Sequence, residues 1–266
     1  MENLEGQNVI EIKDLNTFYG DRQILSHINL NVLHKEIMVI MGHSGSGKST
    51  LLKHMLGLKK PASGSIKLLN QEVTELDRHQ MFELRKKIGV AFQNGALFSS
   101  MSLLENVELP LREHTKLDKH TIRIMSRMKL EVMNLADAEA LMPAELSGGM
   151  LKRAGLARAV VMDPELLFFD EPSAGLDPVT SVELDELILQ LRDAMNMTIV
   201  VVTHELESAL KIADRIMVID NGKQITTGTR EEIKQSNDPR ILNMLHRRSA
   251  RNHINAEEYL NKLTRD

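Results

Sequence analysis

Two hydrophobic periods take turns along this chain. Val9-Ile10-Glu11-Ile12-Lys13 alternates like an edge strand, and residues 23–32 continue in the same two-residue period. Between them Phe18-Tyr19-Gly20 reads as a turn that carries aromatics. Val39, Ile40 and Met41 read as the end of a buried strand, and residues 49–56 as the first turns of a helix. A turn at Pro61-Ala62-Ser63-Gly64 leads to a strand over 65–69, and residues 74–87 are polar and helix-like. Ile88-Gly89-Val90-Ala91-Phe92 is a short buried strand ending at Gln93. From there to about Asp163 helical patterns dominate, over 103–113, 119–130 and 150–162. Continuous apolar runs then return at Leu166-Leu167-Phe168-Phe169 and at 198–203, as central parallel strands require. Helices are expected at 181–194 and 205–213, and a strand over 215–220 is closed by an Asn221-Gly222 turn. Residues from Thr229 onward read as helical and polar. The pattern predicts an α/β domain over 1–245, with a helical subdomain at about 94–163 inserted in the core, and a tail over 246–266.

The chemistry begins where the strand at 39–41 meets its helix. Gly42-His43-Ser44-Gly45-Ser46-Gly47-Lys48-Ser49 fits the phosphate-binding pattern Gly-x-x-x-x-Gly-Lys-Ser/Thr, with Thr50 next. Backbone N–H groups must converge on phosphate oxygens there, and residues without a bulky Cβ let the chain wrap that closely. The helix N-terminus adds partial positive charge. Lys48 can reach terminal phosphates, and the Ser49 hydroxyl can bind Mg²⁺.

Other strand ends supply the remaining candidates. Asp170 closes a hydrophobic strand and is placed to hold Mg²⁺; Glu171 follows and could polarise an attacking water. His204 follows the strand at 198–203, either as a structural histidine or in contact with a terminal phosphate. Gln93 offers an amide oxygen to Mg²⁺ or water. Tyr19 is a candidate platform for a nucleotide base, or a packed residue at a sheet corner. Leu146-Ser147-Gly148-Gly149-Met150 introduces a helix whose cap and glycines make a second anion site. Two phosphate-binding ends in one chain suggest a composite site shared between two chains.

Composition narrows the function classes. A net charge of −4 argues against a protein that coats nucleic acid. With no cysteine, thiol catalysis and Cys-based zinc sites are excluded. The polar N-terminus is unlike a signal peptide, and no apolar run approaches the roughly 20 residues that span a bilayer, so membrane association is expected only through a partner.

Together the Gly42 to Ser49 loop, Gln93, the run 146–150, Phe168 to Glu171, the stretch 173–177 and His204 resemble the ATP-binding subunit of ABC transporters over nearly the whole chain. The resemblance implies a P-loop NTPase (RecA-like) core with an antiparallel β subdomain and an inserted helical one. It implies a head-to-tail homodimer sandwiching two ATP molecules. Ser147, Gly148 and Gly149 would cap the phosphate held by the other chain, and Asp177 would couple the two sites. Tyr19 matches the base-stacking aromatic, Ser49 and Gln93 the Mg²⁺ ligands, Glu171 the catalytic base and His204 the switch histidine. Position 150 is Met where the family usually has Gln. With the stretch 92–102 and Met150-Leu151-Lys152-Arg153-Ala154, this departure resembles the ATPases of MCE-associated, Mla-type lipid transporters. That branch implies phospholipid as cargo and a place on the cytoplasmic face of the inner membrane. It also implies an integral permease touching Ala96-Leu97-Phe98, an MCE-domain partner and a STAS-domain regulatory subunit. The competing expectations are an ABC subunit for an amino acid or metal, and a non-transport ABC ATPase acting on DNA or ribosomes. Near the end, 238–245 reads as a short amphipathic helix, followed by a basic cluster of Arg247, Arg248 and Arg251; this tail is either a dimer clasp, a dock for a small regulatory subunit such as the STAS-domain protein, or a frayed, solvated end.

Overall fold

The structure, a computed structural model, describes residues 6–245. The tail over 246–266, with its arginine cluster, lies outside the described residues. Among the described residues ten strands form one sheet: β1 (Asn8–Tyr19), β2 (Arg22–Leu33), β3 (Ile37–Met41), β4 (Ser63–Leu68), β5 (Gln71–Glu72), β6 (Ile88–Ala91), β7 (Leu166–Asp170), β8 (Thr198–Thr203), β9 (Arg215–Asp220) and β10 (Lys223–Thr229). Their order across the sheet is β5-β4-β1-β2-β10-β9-β3-β8-β7-β6. From β5 to β2 the neighbours are antiparallel, whereas β9, β3, β8, β7 and β6 run parallel. One residue pair, Lys223 with Ser26, joins β10 to β2 and so joins the two halves.

Strand chemistry explains the parallel half. Ile37–Met41 and Thr198–Thr203 are buried at every position, so side chains on both faces must be apolar or hydrogen-bonded. Alternation assigns the faces. Val39, Leu167, Phe169, Val201 and Val218 enter one apolar cluster; Ile40, Phe168, Val202 and Ile219 enter the other. Full burial of a side chain such as Phe168 contributes about 1.5–3 kcal/mol.

Among the described residues nine α-helices cover the two faces: α1 (Lys48–Met55), α2 (Arg78–Lys86), α3 (Leu103–His114), α4 (Lys119–Val132), α5 (Gly148–Val160), α6 (Pro178–Met195), α7 (Leu206–Ile212), α8 (Arg230–Lys234) and α9 (Pro239–Leu245). Leu51, Leu52 and Met55 of α1 pack in the cluster shared with β1, β2 and β4. Helices α3, α4 and α5 fill the stretch between β6 and β7, where no strand is assigned among the described residues. Their apolar faces join the cluster of the sheet's opposite side and form no core of their own. Ile241 of α9 is buried in that cluster, with Leu245 packed against it.

Several boundaries differ from the sequence expectations. β1 runs on through Phe18 and Tyr19, so the turn is Gly20 and Asp21. β10 was not anticipated at all. Helix α2 starts at Arg78, because Asp77 and Gln80 close a capping box that ends the preceding turn. Helix α5 starts at Gly148, because the Ser147 hydroxyl accepts a hydrogen bond from Met150 N and caps the helix.

Candidate active site

Four parallel strands deliver their C-terminal ends to one edge, where open α/β sheets bind ligands. β3 ends at Met41 and runs into the glycine loop, and β7 ends at Asp170 before Glu171. β8 ends at Thr203 before His204, and β6 ends at Ala91, two residues before Gln93.

The glycine loop is tight for identifiable reasons. A Cβ at Gly42 would lie 2.2 Å from Ile219 O and 2.5 Å from Ser46 Oγ. Gly47 precedes α1 with φ 109°, and a Cβ there would meet the Leu25 side chain at 2.6 Å. His43, Ser44 and Gly45 are exposed at the rim, and Lys48 opens the helix with Ser49 and Thr50 in its first turn.

Lys48 lies inside this turn, 5% exposed. Its Nζ donates to Gly42 O at 2.8 Å and His43 O at 3.1 Å, and stands 3.7 Å from Glu171 Oε1. Burial lowers its pKa, opposed by the nearby Glu171 and Asp170 charges. The other Glu171 oxygen accepts from His204 Nδ1 at 2.8 Å and from His204 N at 3.3 Å. A carboxylate only accepts, so that ring contact places the imidazole proton on Nδ1. Glu171 itself has φ 52°, left-handed backbone that a non-glycine residue adopts at a cost of order 1–3 kcal/mol.

Next to this pair, burial and the Glu171 charge push the Asp170 carboxyl above its ordinary range. Asp170 Oδ1 and Ser46 Oγ are buried and have no hydrogen-bond partner among the described residues. Orphaned polar atoms beside a buried ammonium are what a site built for an absent polar ligand should show. No group of three His, Cys, Asp or Glu side chains able to hold a metal occurs among the described residues. A cation here would draw on the Asp170 carboxylate, the Ser49 hydroxyl, the Gln93 amide and phosphate oxygens, an oxygen set that suits Mg²⁺.

The remaining candidates fall around this centre unequally. Tyr19 is 48% exposed at the end of β1. The Thr50 hydroxyl hydrogen-bonds its phenol and lowers the phenol pKa, and the Lys59 ammonium sits 3.2 Å from the ring centroid. Asp177 caps α6: its carboxylate accepts from Val179 N, Thr180 N and the Thr180 hydroxyl, which lowers its pKa. Ser147 and Gly148 are exposed, with nothing within 4 Å of a Cβ built at Gly148; one built at Gly149 would meet Thr180 Cγ2 at 2.8 Å. The caps of α5 and α6 therefore lie side by side.

Three partners escaped sequence reading. Asp220 Oδ1 meets His43 Nε2 at 2.7 Å and ties the loop to β9. The rule that singled out Asp170, an acid closing an apolar strand, would have found it. Arg158 donates to Gly95 O at 3.0 Å and Ala96 O at 2.8 Å, which anchors the segment after Gln93 on α5. Lys152 reaches the loop after β7. Nothing local in the sequence announces the last two.

A buried loop lysine, a strand-end acid pair and a facing histidine are the parts of a nucleoside triphosphate hydrolase, and the family description for ABC transporters matches residues 25–174, more than half of the chain. The chain belongs to the ABC transporter family. As an ABC ATPase it binds ATP and hydrolyses it to drive transport. It is 46% identical to the intermembrane phospholipid transport system ATP-binding protein MlaF of Haemophilus influenzae, over 90% of each chain. It is 39% identical to the probable ribonucleotide transport ATP-binding protein mkl of Mycobacterium leprae, over 90% of this chain and 69% of mkl. Among solved structures, the ATP-binding cassette MJ0796, dimeric in a post-hydrolysis state with ADP and Pi, superposes with a TM-score of 0.77 at 31% identity, over 83% of this chain and 98% of that one. The P-loop NTPase architecture is therefore that of known ABC cassettes. Among the described residues no helix is long and apolar enough to cross a membrane.

Proposed function

We propose that this ABC ATPase powers phospholipid trafficking between the inner and outer membranes, as the peripheral subunit of an integral permease on the cytoplasmic face of the inner membrane. The observation that carries the cargo is the 46% identity to a protein named for intermembrane phospholipid transport, which extends over 90% of both chains. The 39% identity to a protein named for ribonucleotide transport favours a second reading: the same ATPase serving a different cargo.

In the proposed cycle two copies close head to tail on two ATP molecules. The dimeric state of the MJ0796 cassette supports this arrangement. Lys48 and the loop N–H groups bind the phosphates, and Tyr19 stacks on the base. Ser147, Gly148 and Gly149 of the partner copy close over the terminal phosphate, and Asp177 stands at the junction between the two sites. Mg²⁺, held by Ser49, Gln93 and Asp170, would neutralise phosphate charge. Glu171 accepts the proton of the attacking water, and His204 holds the second Glu171 oxygen and so orients it. Removing a base of this kind costs about 10²–10⁴-fold in rate.

For the permease, the receiving surface is the segment after Gln93. Phe92 and Phe98 are exposed, at 42% and 52%, in a chain with only six Phe. Phe92 lines a groove of about 340 Å³ with Phe82, Pro110, His114, Arg158 and Met162. Exposed aromatics at a groove fit a partner surface. On α4, Ile124, Met128 and Val132 are exposed at four-residue spacing, a stripe that suits a further protein partner such as a STAS-domain subunit. An MCE-domain protein would complete the transporter beyond the membrane.

Affinity purification from gently solubilised native membranes tests the assignment. A permease recovered with an MCE-domain protein is expected. A permease with a different binding protein would replace the cargo, and recovery of soluble partners alone would remove the transport role.

A further inference from the structure

We infer that Lys152 is a positioning residue for ATP hydrolysis, because its ammonium clamps the backbone of the loop that aims Glu171. The inference rests on the reading of Glu171 as the base. Lys152 lies in the second turn of α5, and its Nζ donates to Glu171 O at 3.3 Å, Pro172 O at 2.5 Å and Ala174 O at 2.7 Å. An ammonium has three N–H donors, and all three are directed at one four-residue turn. No carboxylate is paired with it among the described residues. Burial lowers its pKa, so a charged group is kept where desolvation opposes it.

The turn it holds needs holding. Glu171 has φ 52°, outside the comfortable range for a residue with a Cβ. Such a conformation persists only where its surroundings over-determine it. Two backbone bonds act on Glu171 itself: its N donates to Val202 O of β8 at 2.8 Å, and within the turn Ala174 N donates to Glu171 O at 3.3 Å, the second of them long. Lys152 adds three charge-assisted bonds from a helix that is otherwise not part of the turn. With that backbone in place, Glu171 presents one oxygen to Lys48 and the other to His204. Relaxation to an ordinary φ would swing the carboxylate out of both contacts. The same helix begins at Ser147 and Gly148, so one rigid element joins this chain's Glu171 loop to the surface proposed to close on the partner's nucleotide.

The test uses the purified full chain and measures phosphate release and equilibrium binding of a non-hydrolysable ATP analogue for Lys152→Met, Lys152→Arg, Glu171→Gln and the Lys152→Met/Glu171→Gln pair. A displacement approaching 1 Å costs as much as ~10²-fold, so Lys152→Met should lower kcat about 10–100-fold. Its KM for ATP and its analogue affinity should stay within about 2-fold, because the loop at Gly42 to Ser49 is untouched. Lys152→Arg, which keeps a charged donor, should recover most of the rate. The pair should be no slower than Glu171→Gln alone, since misaiming an absent base changes nothing. Should Lys152→Met not fold, Lys152→Gln, with two donors and no charge, makes the same comparison, and its kcat should fall below both wild type and Lys152→Arg. A slow Glu171→Gln beside a wild-type kcat for Lys152→Met, or a Lys152 loss that multiplies in full onto Glu171→Gln, overturns this inference alone. A wild-type rate for Glu171→Gln refutes the assignment of the base, and the clamp's purpose with it.

Discussion

Gly155→Ala, a change of one methyl group, tests whether α5 sets the position of Gln93. The two segments meet backbone to backbone. A Cβ built at Gly155 lies 2.8 Å from Gly95 Cα and 2.9 Å from Gly95 O, where ordinary contact begins near 3.4 Å. The loop and helix must therefore part by roughly half an ångström, as these are backbone atoms with no flexible side chain to give way. Gly95 cannot yield inward, because it sits at φ 69° and its own Cβ position is 2.7 Å from Leu151 O. The Arg158 bonds to Gly95 O and Ala96 O hold the outer side. Alanine in a helix interior gains about 1 kcal/mol over glycine, whereas overpacking costs about 1–3 kcal/mol, so net stability should fall by no more than ~2 kcal/mol. For a chain this long that is a melting shift of at most about 8 °C. Activity is the sharper readout. Moving the segment that carries Gln93 by several tenths of an ångström should cost ~3–10-fold in kcat, against the 10²-fold of a full ångström. ATP affinity at Lys48 should hold. Steady-state phosphate release, analogue binding and a thermal melt are the assays. A wild-type kcat with an unchanged melt would show that the loop shifts freely, and the reasoning would be wrong.

Three further outcomes are expected. Lys48→Met should abolish measurable hydrolysis, weaken ATP binding and lower the stability of the ligand-free fold, since it takes the cation from beside Glu171 and the donor from Gly42 O and His43 O; normal turnover would remove Lys48 from the site. Asp170 has a folded pKa raised above its unfolded value, so its ionised form costs stability at neutral pH, and the cost fades as pH falls through the raised folded pKa towards the ordinary carboxylate value. Ligand-free Asp170→Asn should therefore melt higher than wild type at about pH 7, and the gap should close towards pH 4 or so; a gap that widens on acidification contradicts the burial argument. Phe98→Asp should uncouple transport from ATP hydrolysis in reconstituted membranes with basal hydrolysis kept; collapse of basal hydrolysis would assign Phe98 to packing instead.

The parts of the site that are local in the chain could be read from it. The glycine loop needs its glycines within eight residues, and Asp170 closes and His204 directly follows a strand whose apolar run is unmistakable. β10 could not be read the same way. Lys223–Thr229 is mostly half-buried, pairs fully with β9 alone and is ladder-paired with β2 at one position, so it has no buried face to impose a two-residue period. The turn falls at Gly20-Asp21 and not at Phe18-Tyr19-Gly20, because Phe18 and Tyr19 look like loop aromatics in the sequence yet pair with Gln23 and Arg22 as the end of β1. Lys152, Arg158 and Gly155 act on backbone atoms about 20 to 60 positions distant, and neither periodicity nor spacing encodes such contacts. The strained Glu171 is equally silent, since a positive φ at a non-glycine residue is imposed from outside.

The order of the sheet also sets a schedule for biosynthesis. β3 is buried on both faces, and its neighbours are β8 and β9. A ribosome delivers Met41 long before it delivers Asp220. At 5–20 residues per second the strand Ile37–Met41 waits on the order of 10–35 s for its last partner. For that interval an unpaired, wholly apolar strand is exposed to other nascent chains, and late, long-range pairing of this kind is slow to form. The antiparallel hairpin of β1 and β2, with one apolar and one polar face and complete by Leu33, is the first structure the chain can build. The cell therefore has to shield the nucleotide-binding strand itself, and a chaperone that recognises short apolar stretches would find its target there.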